Sequence, residues 1–184
     1  MHRYYHEAAP LKVIFLFQKT ITHLMKVLLI LFCILLTACT KNIWIIKPLN
    51  VALPNQTAMA NFVVEEHGGY RFALVFVWSS DVSKRERQRA IFGSINKDGV
   101  PIPIHFRLVK DGEVLFEEII VTRGTQSYQG TNYKGEIKST AVRDIKHFGL
   151  LPGNYFAEIK TLESSEEFKG IETYAEFSYY NPKI

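Results

Sequence analysis

"IPIHFRLVKDGEVLFEEIIVT", Ile102 to Thr122, sets two apolar runs on either side of Lys110-Asp111-Gly112. In an extended chain successive side chains alternate between faces, so Ile102, Ile104, Phe106 and Leu108 share one face and His105 takes the other. Asp-Gly suits a type I′ turn because both central positions require φ > 0. The stretch therefore predicts an antiparallel β-hairpin. Glu117-Glu118 interrupts the alternation of the return strand, so a β-bulge is expected there.

Working outward, the same grammar recurs. Met59 to Glu66 predicts a short strand, with His67-Gly68-Gly69 as a turn. Tyr70 to Ser79, "YRFALVFVWS", places Tyr70, Phe72, Leu74, Phe76 and Trp78 on one face and Arg71, Ala73, Val75 and Val77 on the other. Both faces are largely apolar, which suits a central strand. "NIWIIKPLNVALP" is too apolar for a free linker, and Pro48 and Pro54 fit an edge strand or an extended segment. Asp81 to Phe92, "DVSKRERQRAIF", predicts the one helix of the domain. Ser83 and Glu86 fit a capping box, an Asp81 cap is the alternative, and Gly93 fits the stop. Lys84, Arg85, Arg87 and Arg89 make this helix either a solvated insert or a surface for an acidic partner or lipid headgroups.

Arg123 to Ile137, "RGTQSYQGTNYKGEI", reads as a long loop carrying Tyr128 and Tyr133, the residue type that anchors protein interfaces. Leu151-Pro152-Gly153 predicts a turn, after which Tyr155, Ala157 and Ile159 alternate. This resembles the corner entering a late strand of immunoglobulin-like sandwiches, where a Tyr hydroxyl bonds back to the turn. Thr173 to Tyr180 predicts the last strand. About seven strands bounded by turns, with one short inserted helix, predict an all-β, mainly antiparallel, immunoglobulin-like β-sandwich.

The segment before the domain has a different character. "MKVLLILFCILLTACTKN", Met25 to Asn42, holds an apolar run, Val27 to Leu36, that is about half the 20 residues a spanning helix needs. Basic Lys26, an apolar core of this length and a small-residue ending fit a signal peptide, expected as a helix over residues 25–38. Leu36-Thr37-Ala38-Cys39 resembles the lipobox of bacterial lipoproteins. That resemblance implies cleavage between Ala38 and Cys39, with a diacylglycerol on the Cys39 thiol and an acyl chain on its new amino group. Each buried CH₂ contributes about 0.8 kcal/mol, so such chains anchor stably. Residues 1–24 are expected to be an over-extended start or a long n-region, with Met25 as the initiator. Residues 39–56 form the lipidated tether and edge strand, and 57–184 the sandwich. Thr40 follows Cys39, and the lack of Asp there favours the outer membrane, at its periplasmic face, by resemblance to the sorting rule of enteric-type lipoproteins.

Removing the leader changes what charge implies. It carries four of the 22 basic residues and one of the 18 acidic ones, so the net charge falls from +4 to about +1. Basicity then gives no argument for nucleic acid. Cys33 leaves with the leader, so the domain has no disulfide. No metal or cofactor is expected beyond the acyl chains on Cys39. The domain lacks G-x-S-x-G, H-E-x-x-H, P-loop and G-x-G-x-x-G motifs. His67, His105 and His147 read as surface or hydrogen-bonded histidines. Asp81, Asp98, Asp111 and Asp144 read as turn or cap residues. The best catalytic arrangement is His147 with Asp144, and a non-enzyme is expected.

The lipobox, "KPLNV", "YRFALVF", "IPIHFRLVKDGE", "LLPGNYFAEIKTLE", "EFKGIETYAEFSYY" and "PKI" resemble a family of small proteobacterial lipoproteins known as a domain of unknown function. That resemblance implies a lipid-anchored periplasmic binding protein, with immunity against a delivered toxin as one role of its class. A structural or assembly lipoprotein of the envelope is the alternative. The candidate partner-binding residues are Tyr128, Tyr133, Arg85, Arg87 and Arg89. Labelling with radioactive palmitate is expected to mark the protein and to be lost on Cys39→Ala; an equally labelled variant would refute the lipobox reading.

Overall fold

Residues that alternate apolar and polar must bury one face, and here two sheets do so against each other. The structure is a computed structural model and describes residues 43–180; the signal peptide, Ala38 and Cys39 lie outside the described residues. In chain order the elements are β1 (Trp44–Pro48), β2 (Thr57–Val64), β3 (Gly68–Val77), α1 (Val82–Phe92), β4 (Ile102–Lys110), β5 (Glu113–Thr122), β6 (Ser127–Tyr133), β7 (Glu136–Leu150), β8 (Gly153–Thr161) and β9 (Thr173–Tyr179). The sheets run β1-β9-β3-β7-β6 and β2-β8-β4-β5, with every pair of neighbouring strands antiparallel. Among the described residues the fold is a β-sandwich with one α-helix. No helix among the described residues is long and apolar enough to cross a membrane.

The core lies between the sheets. Phe72 of β3 meets Phe106 of β4 at 4.9 Å between ring centroids, and Phe62 of β2 stacks on Tyr155 of β8 at 5.5 Å. The β4–β5 hairpin forms as its pattern predicts, with Asp111 and Gly112 at φ 49° and 90°. Its bulge sits earlier than expected. Leu108 pairs with Phe116 and Val109 with Val114, so Leu115 is the extra residue and Glu117-Glu118 continue the regular ladder. Tyr155 donates to the Leu151 carbonyl at 2.8 Å, the corner bond its position predicts.

The segment Arg123 to Ile137 differs from expectation. It is no loop: most of it forms β6 and the start of β7, joined at Lys134-Gly135 with φ 53° and 85°. Thr and Tyr are strong strand formers, and they outweigh the glycines once β7 is there to pair with. β7 was obscured by a second bulge. Phe72 pairs with Lys146 and Ala73 with Asp144, leaving Ile145 extra. The inward set therefore switches from Ala141, Arg143 and Ile145 to Phe148 and Leu150, and simple alternation fails.

Inward-facing Arg143 is fully buried, yet it has no carboxylate partner among the described residues. Its Nε donates to Gly124 O at 2.8 Å, Nη1 to Val100 O at 2.7 Å and Thr122 O at 3.4 Å, and Nη2 to Phe92 O at 2.7 Å and Ile91 O at 3.4 Å. Two of these carbonyls end α1, where the helix dipole is negative. The rings of Phe76 and Phe168 lie 5.1 and 5.9 Å from the guanidinium carbon. Burial, and then nearby Arg123, push this guanidinium down to about 10, so it remains charged at neutral pH. Arg143→Met removes the side-chain donor of five carbonyls, of which only Ile91 O keeps another donor outside the ladders, the Val100 amide, and is expected to cost at least about 3 kcal/mol in a denaturant titration. Tyr155→Phe, which removes one hydroxyl, is expected to cost about 1 kcal/mol.

Candidate functional site

α1 begins where Asp81 Oδ1 accepts from the Ser83 amide at 2.9 Å and the Ser83 hydroxyl at 2.7 Å. These bonds hold the Asp81 carboxyl below its ordinary value. Asp81, not Ser83, is thus the cap. The helix is not a merely solvated insert, because its last turn buries Ile91 and Phe92 and ends on Arg143. Gly93 closes it at φ 73°, where a Cβ would stand 2.3 Å from Lys97 O. The Thr125 hydroxyl then donates to Gly93 O at 2.9 Å, and the Gly124 amide to Asp98 O at 2.6 Å. These bonds strap the turn after α1 to the start of β6, which brings Tyr128 beside the helix.

The result is a groove of about 610 Å³ lined by Trp78, Arg85, Arg89, Lys97, Tyr128 and Ser139, among others. Trp78 is its floor, wedged edge-on against Phe92 at 4.8 Å and tilted against Tyr128 at 6.1 Å. Arg85 Nε donates to Ser79 O at 2.9 Å, which fixes its stem and leaves the other guanidinium nitrogens toward the groove. Arg89 lies 3.3 Å from Glu86, the one acidic residue on the lining. Three cations around an aromatic floor, with one carboxylate among them, can take an anionic group with a flat or apolar neighbour.

The structure thus gathers Arg85, Arg89 and Tyr128 of the candidate residues. Arg87 faces a second groove, with Lys84, Lys169, Glu167 and Glu172. Tyr133 is on the other face of β6, because it lies an odd number of positions, five, after Tyr128, and it packs on Tyr174 at 4.8 Å. Trp78 and Lys97 were missed as site residues. The signal for Trp78 was its place at the end of an inward set, where a large ring overhangs the sheet rim.

Tyr133 reports a further feature. β7 and β3 separate β6 from β9, a gap of about 14 Å in a flat sheet. Yet Tyr133 touches Tyr174, and Gln129 Nε2 donates to Glu176 Oε2 at 2.5 Å. The β6–β7 hairpin therefore curls over the outer face of β3 and β9. Beneath it, Arg71 (4% exposed) pairs with Glu176 (0% exposed) at 2.5 Å, and Arg71 also donates to Gln129 Oε1 at 2.8 Å. Ser178 donates to Glu176 at 2.7 Å, and the Tyr180 ring covers the Arg71 guanidinium at 4.7 Å. Ala73, Val75, Val142 and Tyr174 fill the remainder. Tyr174 donates to Glu172; burial and then that carboxylate push its hydroxyl up to about 12.

The Ile145 bulge sets His147 and Asp144 on one face, with Nε2 and Oδ2 3.0 Å apart and Tyr180 against the imidazole. The serine of the same row, Ser178, is committed to Glu176. His105 meets Glu117 at 2.9 Å. Among the described residues no group of three or more His, Cys, Asp or Glu could hold a metal ion.

The model of a family described as a domain of unknown function, DUF5625, matches residues 46–179. A crystal structure from Sulfurospirillum deleyianum is similar in fold, with a TM-score of 0.58 at 16% identity over 77% of this chain and 99% of that one. No curated protein matches the sequence.

In a double-mutant cycle, Arg71→Leu and Glu176→Leu are each expected to cost about 3–5 kcal/mol, and the double variant far less than their sum. Additive losses in chemical unfolding would mean that the two side chains act separately.

Proposed function

The chain belongs to the DUF5625 family, and we propose that it is a lipid-anchored binding protein of the periplasm whose groove between α1 and β6 captures a partner protein. The observation that carries this reading is the gathering of Trp78, Tyr128, Arg85 and Arg89 in one concave site. Trp, Tyr and Arg are the residues that dominate binding energy in protein interfaces, above all when clustered in a recess. The partner is an acidic protein surface, since Arg85, Arg89 and Lys97 outnumber Glu86. A toxin delivered to the periplasm is the partner class that the lipoprotein resemblance implies.

Topology supports the same reading. β1 is antiparallel to β9 and β9 to β3, so Trp44 and Gly68 stand at one end of the sheet and Val77 at the other. Ten residues of β3 separate those ends by about 33 Å. Trp44, where β1 begins, is thus at the end remote from the groove. A groove at the end of the sheet remote from Trp44 is open to a protein partner in the periplasm. The outer membrane is the proposed site, on the sorting resemblance at Thr40.

A photo-cross-linking residue in place of Tyr128, in the full lipoprotein in cells, is expected to capture a defined protein that the same residue at Met59 does not. Arg85→Glu with Arg89→Glu is expected to weaken that capture tenfold or more while leaving the melting temperature unchanged. Identical capture from both positions, or indifference to the charge reversals, would favour an envelope structural lipoprotein instead.

A further inference from the structure

Four strands edge the two sheets, and three are protected. β1 is five residues long and ends in Pro48, which has no amide hydrogen to offer. β6 is polar and curls over its own sheet. β2 is shorter than β5, and only Met59 and Val63 of its large apolar side chains are exposed. β5 differs from all of them. It is ten residues long, its outer edge pairs with no strand among the described residues, and Val114, Leu115, Ile119 and Val121 are all exposed, Ile119 by 67%. A long apolar edge of this kind is a template for an added strand.

The charges along β5 say which strand it takes. Glu113, Glu117 and Glu118 lie on it, and it carries no basic residue. Glu117 is engaged from β4 by His105 at 2.9 Å and Arg107 at 3.6 Å. Glu113 and Glu118 have no ion-pair partner among the described residues. A second copy of the chain fits poorly. Antiparallel partners directly opposite must share a face, so a two-fold pairing at mid-strand sets Glu117 against Glu117 or Glu118 against Glu118. The geometry points to β5 as a strand-addition site for an extended segment of a partner protein, apolar at its flanks and basic opposite Glu118. Main-chain hydrogen bonds along the edge would hold the segment, Ile119 and Val121 would pack on its apolar residues, and Glu118 would set its register. This surface is separate from the groove and does not depend on it.

The probe is a capped peptide of alternating Val and Thr, about ten residues long, with two central lysines. Added to the full lipoprotein in detergent micelles, it is expected to slow amide exchange at least tenfold within residues 113–122 and not within 82–97. The same peptide with glutamates for lysines is expected to bind at least tenfold more weakly, and Glu118→Lys to reverse that order. N-methylation of alternate peptide amides is expected to abolish the protection, while Arg89→Glu leaves it unchanged. Equal binding of the two peptides, protection elsewhere, or no protection at millimolar peptide would overturn the proposal.

Discussion

Arg143 reaches from β7 into the interior of the sandwich and meets backbone carbonyls from the end of α1, from Val100, from the end of β5 and from Gly124. A buried cation without a carboxylate is costly unless its donors are used. Here each of its three nitrogens is used, and two acceptors carry the negative end of a helix. One side chain thereby ties the end of α1 to the open end of the β4–β5 hairpin and to Gly124, which leads into β6. Those segments place the turn after α1 beside the start of β6, and that adjacency is the groove. Burial of Ile91 and Phe92, the Gln88 amide donating to Val77 O and the Val100 amide donating to Ile91 O also hold α1 in place.

The opposite face of the same sheet is organised by a second buried arginine with a different solution. Arg71 is neutralised by Glu176 and tied through Gln129 to the curled β6–β7 hairpin. Such a pair contributes little net stability relative to apolar residues of the same shape, but it penalises every arrangement that separates the charges. Its effect is therefore on geometry. The hairpin is held over β3 and β9, and the two faces of β6 acquire different duties. Tyr133 packs under the curl, and Tyr128 faces the groove.

Much of the sandwich is legible in the sequence, because Ile102 to Leu108, Tyr70 to Trp78 and Tyr155 to Ile159 alternate cleanly and are bounded by turn residues. Tyr155 is legible for the same reason: a turn two residues before a tyrosine that starts an inward set constrains where its hydroxyl can go. What is hidden has two physical causes. Bulges at Leu115 and Ile145 change parity within a strand, so β7 shows no single period and its partner β6 is left reading as a loop. Arg71, Arg143 and Glu176 are charged residues at buried positions, and a pattern that assigns charge to solvent cannot place them. The groove was partly legible, through Arg85, Arg89 and Tyr128. Its floor was not, because Trp78 reads as one more inward residue of β3.

β1 begins at one end of the β1-β9-β3 sheet, and the basic, aromatic recess lies at the other. The most direct test is hydrogen-exchange mapping of the full chain alone and in complex with the partner proposed for the groove. The account predicts new protection in residues 82–97 and 127–133, with residues 65–70 and 150–155 unchanged. Protection confined to the end that carries Trp44, with the groove still exchanging freely, would contradict it.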